Sequence, residues 1–112
     1  MLIAFMTSCS LLDKSPLTPP DWAMGSWSDD YDILTWEFAS DNVLYHSESL
    51  DMDYKALALN PGVEITDEIG DDSYSFTYKT ETTSTEYGFE FVDDTTMNYS
   101  LNGGTAVVLH KD

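Results

Sequence analysis

Large apolar residues recur at every second position through most of this chain, and that alternation restricts what it can fold into. Leu34, Trp36 and Phe38 alternate with Thr35 and Glu37, and Tyr74, Phe76 and Tyr78 with Ser75 and Thr77. Tyr87, Phe89 and Phe91 alternate with Gly88 and Glu90, and Met97, Tyr99 and Leu101 with Asn98 and Ser100. A period of two turns one face of a strand into a core and the other into water. Turn-forming clusters separate the runs: Ser40-Asp41-Asn42, Gly70-Asp71-Asp72, Asp93-Asp94 and Asn102-Gly103-Gly104. Strands are expected near 25–29, 31–39, 43–47, 62–69, 73–80, 85–92, 95–101 and 105–110. Short links between them imply antiparallel neighbours in a meander.

One segment departs from this rhythm. Leu50, Tyr54 and Leu57 stand at helical spacing, Asp51 and Lys55 lie four apart, and Asn60-Pro61-Gly62 ends the run. A short helix or irregular crossover near 50–60 is expected, covering one mouth or edge of the sheet. The fold class is all-β: a small antiparallel meander barrel of about eight short strands, with a small sandwich or a half-open sheet as the alternatives.

Charge excludes several functions. Twenty-one acids stand against four basic residues, all lysine, for a formal net charge of −17. Nucleic acid is not an expected partner, because neutralising phosphates needs a basic surface. Electrostatic docking on anionic lipid fails for the same reason. With 42% hydrophobic and 13% aromatic residues, the chain is too rich in core-forming groups for a disordered acidic tail.

The start of the chain has a different character. Met1 to Met6 is apolar, Thr7-Ser8 follow, and Cys9 is the single cysteine. Met6-Thr7-Ser8-Cys9 resembles the lipobox of bacterial lipoprotein signal peptides. The resemblance implies that residues 1–8 are the remnant of a cleaved signal peptide and that Cys9 carries a lipid. The apolar run is about half the usual length and has no basic residue before it, so the natural start is expected upstream. Ser10 after the cysteine implies an outer-membrane destination in the cell envelope, with the face left open. A lone cysteine excludes an internal disulfide framework and a multi-cysteine zinc site. Pro16, Pro19 and Pro20 make residues 9–20 read as a lipid-bearing, semi-rigid tether, so the domain is expected at 21–112.

Gly25-Ser26-Trp27 is a G-x-W motif opening the first expected strand. With the Phe38-Ala39-Ser40-Asp41-Asn42 hairpin and the strand count, it resembles the lipocalin-like domains of small lipoproteins from Gram-negative anaerobes. The resemblance implies that Gly25 allows a tight start to the strand and that Trp27 closes the barrel floor. Lipocalins pack an arginine of the last strand against that tryptophan. Lys111 is the basic residue near the corresponding place here.

Catalytic signals are few. Asp29-Asp30-Tyr31-Asp32, Asp51-Met52-Asp53, Asp71-Asp72 and Asp93-Asp94 could hold calcium or move protons, but none fits a calcium-loop pattern. They fall at expected turns, where aspartate bonds to backbone. His46 and His110 have no metal-binding or triad spacing, and no nucleophile elbow or phosphate loop is present. No enzyme activity, metal or cofactor is expected. Asp94-Thr95-Thr96 resembles the short O-glycosylation site of exported proteins in some Gram-negative anaerobes, which implies modification at Thr95.

The aromatics of the alternating runs are Trp36, Phe38, Tyr74, Phe76, Tyr78, Tyr87, Phe89, Phe91 and Tyr99. They either line a cavity for an apolar or ring-shaped ligand or fill the barrel with their own bulk. An eight-stranded barrel is just wide enough for its side chains, and each ring buries on the order of 150–250 Å². A filled core with a shallow pocket at one mouth is therefore expected. Two functions fit: binding a small hydrophobic or aromatic ligand at the mouth, or acting as a tethered module that meets a protein partner.

Overall fold

The computed structural model describes residues 16–112. Within them one antiparallel sheet contains β1 (Gly25–Asp29), β2 (Leu34–Ala39), β3 (Asn42–Ser47), β4 (Asp51–Asp53), β5 (Glu64–Ile69), β6 (Ser73–Lys79), β7 (Ser84–Asp93), β8 (Thr96–Leu101) and β9 (Val107–Lys111). Their order in space is β4-β3-β2-β1-β9-β8-β7-β6-β5. The meander thus returns on itself where β9 pairs with β1, Trp27 facing Lys111 and Asp29 facing Leu109. The sheet curls into a half-barrel, since Trp36 on β2 meets Phe76 on β6, Phe89 on β7 and Tyr99 on β8.

The alternation has its expected consequence. Trp36, Phe38, Tyr74, Phe76, Phe89, Met97 and Tyr99 are buried, while Glu37 and Glu90 between them are exposed. Strand ends follow aspartate chemistry. Asp29 Oδ1 accepts hydrogen bonds from the Ile33 and Leu34 amides, so residues 30–33 turn and β2 starts later than the sequence suggests. Asp93 Oδ1 accepts from the amide and hydroxyl of Thr95 at the β7–β8 turn, and the Thr95 amide holds the Asp93 carboxyl below the usual carboxylate range.

The gap in the barrel lies between β4 and β5. Both run in the same direction, because β4 is antiparallel to β3 and β5 antiparallel to β6. A tight turn cannot join two such strands, so the chain must cross from one end of the barrel to the other. Helix α1 (Tyr54–Leu57) begins that crossing, with Asp53 Oδ1 accepting from the Ala56 amide at its N-terminus. The helix is shorter than the spacing from Leu50 predicts, and a ninth strand appears, because Asp51–Asp53 pair with β3 instead.

One end of the half-barrel is closed. Trp27 is fully buried and its indole Nε1–H donates to the Ala23 carbonyl at 2.8 Å. The Lys111 ammonium sits 5.6 Å from the centre of that indole. Gly25 has φ +108°, a conformation that disfavours other residues, and a Cβ there would lie 3.2 Å from Lys111 Cε. Packing reaches further back than the expected boundary at Asp21: Leu17 is fully buried and Pro19 is buried. Thr18 donates through its amide (2.7 Å) and hydroxyl (3.2 Å) to Asp67 on β5, and the Tyr74 hydroxyl donates to the same carboxylate oxygen.

Candidate functional site

The opposite end carries the β1–β2, β3–β4, β6–β7 and β8–β9 turns, and it is a mouth lined by rings. Register builds it. Trp36 stands opposite Tyr45, Tyr45 opposite Met52, and Tyr87 opposite Leu101. Tyr54 projects from α1 into the gap between β4 and β5, its ring 4.9 Å from Phe76 and 5.6 Å from Tyr87. Trp36 is the hub, with ring centres at 4.8 Å (Tyr45), 5.1 Å (Phe89), 5.2 Å (Tyr99), 5.3 Å (Tyr87) and 6.1 Å (Tyr54). A cavity of about 340 Å³ is bounded by Trp36, Tyr45, Tyr54, Tyr87 and Tyr99, with Leu50, Met52, Thr85 and Leu101 around them. Leu50 and Leu101 are 51% and 46% exposed, so its rim is apolar.

No charged side chain lines this cavity. The polar side chains among its lining residues are tyrosines and one threonine, beside Trp36. Burial raises the Tyr54 phenol far above its ordinary value, helped by a hydrogen bond with Tyr87, and burial pushes Tyr99 up to about 12. The Tyr54 and Tyr99 hydroxyls therefore stay neutral at any physiological pH. Trp36 is fully buried, yet its Nε1–H meets no acceptor among the described residues. Trp22 shares that condition at the other end, packed edge-on against Phe91 and away from the mouth.

The nine aromatics of the alternating runs divide among the mouth, the core below it and its margins. Trp36, Tyr87 and Tyr99 border the mouth cavity. Phe38, Tyr74, Phe76 and Phe89 are buried in the core below it. Tyr78 packs on Tyr54 from the end of β6, and Phe91 packs on Trp22 at the closed end. Sequence reasoning missed Tyr45, Leu50, Met52, Tyr54 and Leu101 as wall residues. Tyr45 was legible from its alternation with Val43, and Tyr54 from its place in the expected crossover.

The remaining candidates lie elsewhere. His46 on the outer face sits 3.5 Å from Glu37 and 3.1 Å from Asp51, and His110 pairs with Asp30 at 2.7 Å. Asp29, Asp53 and Asp93 are each engaged with backbone amides. Among the described residues no group of three His, Cys, Asp or Glu side chains is arranged to hold a metal ion. Among them too, no helix is long and apolar enough to cross a membrane. Thr95 is exposed in the β7–β8 turn and donates its hydroxyl to Asp93. Cys9 and the lipobox-like residues lie outside the described part of the chain. Comparison with protein-family models, with curated proteins and with solved structures found no match.

Proposed function

We propose that this chain is a binding module tethered to a membrane of the cell envelope, and that it takes a small hydrophobic or aromatic molecule at the mouth of its half-barrel. The observation that carries the reading is the cavity of about 340 Å³ walled by Trp36 and four tyrosines. Its size reaches the range of small-molecule sites, roughly 300–1,000 Å³, which are mostly apolar with a few placed polar groups. Neutral hydroxyls and ring faces suit binding without chemistry, so the module is read as non-enzymatic. The tether is the lipid on Cys9, by the lipobox resemblance, with the domain outside the cytoplasm at the outer membrane.

Native mass spectrometry of the protein purified from its own envelope tests the binding reading. A bound small molecule, lost on Tyr45→Ala, supports it. A protein partner in its place would replace it with the tethered interaction module. Fractionation tests the anchor: Cys9→Ala should release the protein from the membrane fraction, and equal partitioning of mutant and wild type would overturn the lipid attachment.

A further inference from the structure

We infer that the mouth takes an organic cation, holding a quaternary ammonium head against the rings of Tyr45 and Tyr87. This rests on the reading of the mouth cavity as a ligand site and adds the chemistry of its occupant. Trp36 and Tyr54 are 0% and 1% exposed and form the floor, whereas Tyr45 and Tyr87 are half-buried, so these two are the rings an occupant reaches. They do not lie flat on the floor. Tyr45 stands at 55° to Trp36, and Tyr87 at 63° to Trp36 and 57° to Tyr54. Rings set at such angles wall a space on more than one side. Phe76 stacks on one face of Tyr87 at 4.8 Å, so what Tyr87 gives the cavity is its other face and its edge. An aromatic face is the negative pole of the ring quadrupole and attracts a cation within about 6 Å of its centre.

Charge and hydration select the head. No lysine or histidine borders the cavity and the chain carries −17, so its field gathers cations and repels anions with no local counter-charge to reverse it. Among cations, a primary ammonium is strongly hydrated, and the cavity has no carboxylate to replace that water. A quaternary ammonium covers its charge with alkyl groups, gives up less hydration and makes apolar contact with the Leu50, Met52 and Leu101 side chains. Burial keeps the Tyr54 and Tyr99 phenols protonated, so the attraction is to rings and not to a phenolate. A cavity of about 340 Å³ holds such a head together with an attached apolar group.

Three small probes separate these terms in the full chain near neutral pH. Choline carries a quaternary ammonium, its neutral isostere has carbon in place of the nitrogen, and ethanolamine carries a primary ammonium. Choline should bind about tenfold more tightly than either, as expected for a cation held by partly desolvated rings. Its methyl protons should move upfield in the nuclear magnetic resonance spectrum, as protons over ring faces do, and the Tyr45 and Tyr87 ring signals should shift with them. Tyr45→Leu should bring choline down to the affinity of the neutral isostere, and Tyr45→Phe should keep the preference, since the ring and not its hydroxyl carries it. The wild-type ranking of the three probes decides the matter if Tyr45→Leu does not fold. Equal binding of choline and the isostere would overturn cation selection while leaving the mouth as a ligand site. Ethanolamine binding as tightly as choline would overturn the quaternary head. If no probe shifts the ring signals of Tyr45, Tyr87 or Tyr99, the ligand reading of the mouth itself falls.

Discussion

Trp27 and Trp36 face each other in register on β1 and β2, both fully buried, and their rings lie in different surroundings. At the closed end Trp27 has a carbonyl for its N–H and a lysine over its ring, and it shares the core with Leu17 and Ala23. At the mouth Trp36 is ringed by aromatics, borders a cavity and lacks an acceptor. The same residue type on the same face of neighbouring strands thus packs under a lysine in one place and forms the floor of an aromatic-walled cavity in the other. Burial alone does not separate the two roles. Nor does polar satisfaction: Trp27 donates to Ala23, while Trp36 and the closed-end Trp22 both lack an acceptor among the described residues, so it is the neighbouring cavity that sets Trp36 apart.

Substitutions at the two ends should differ in kind. The largest loss is expected from Trp27→Ala, about 3–5 kcal/mol, which is enough to unfold a domain of this size. Urea denaturation followed by circular dichroism reads it, and a loss near 1 kcal/mol would mean that Trp27 does not close that end. Leu17→Ala should cost about 2–5 kcal/mol by the same measurement. A neutral result would show that the Pro-rich segment only leans on the barrel.

Alkaline pH probes both ends at once. Burial holds the phenols of Tyr54, Tyr74 and Tyr99 protonated above their ordinary pKa, with Asp67 adding to the effect on Tyr74. The unfolded chain loses those protons near pH 10 while the folded chain keeps them. Stability from this source is complete below pH 10 and falls as pH rises beyond it, by about 1 kcal/mol per pH unit for each tyrosine withheld. Phenolate absorbance should report Tyr99, at about 12, before the circular dichroism signal collapses. Simultaneous change would show that the mouth does not open ahead of the closed end.

Smaller effects sharpen the contrast. Tyr87→Phe removes a hydroxyl from the cavity wall while keeping the ring against Tyr54 and Phe76, and should cost no more than about 1 kcal/mol of stability in the same denaturation measurement. Lys111→Met should cost about 0.5–1 kcal/mol through its contact with the Trp27 ring and leave probe binding unchanged. Altered binding in Lys111→Met would mean that the two ends are coupled.

The alternation of large apolar residues located the strands and their inward faces, because side chains of an extended backbone point to opposite sides whatever lies beyond it. Turn residues located the hairpins for a similarly local reason: Asp29 and Asp93 bond amides within five residues of themselves. Legibility ended where the local pattern was too short or had no period. Asp51-Met52-Asp53 holds a single apolar residue, and its place as β4 is fixed by pairing with β3. Leu17 stands among prolines with no period to announce it, and only the barrel beneath makes it a core residue.

What the tertiary structure alone decided is where the barrel joins, where it stays open and which aromatics face space instead of one another. Closure rests on β1 meeting β9 and on contacts such as Ser28 with Asp112, 84 residues apart. The gap between β4 and β5 follows from two strands that run the same way and so need a crossing chain between them. Tyr87 and Phe89 are two residues apart on one strand and one face, yet Tyr87 borders the mouth and Phe89 is core. Sequence specifies the side of the sheet on which a ring lies, since that depends on its own backbone. Curvature and closure set what it meets there, and those depend on strands far along the chain.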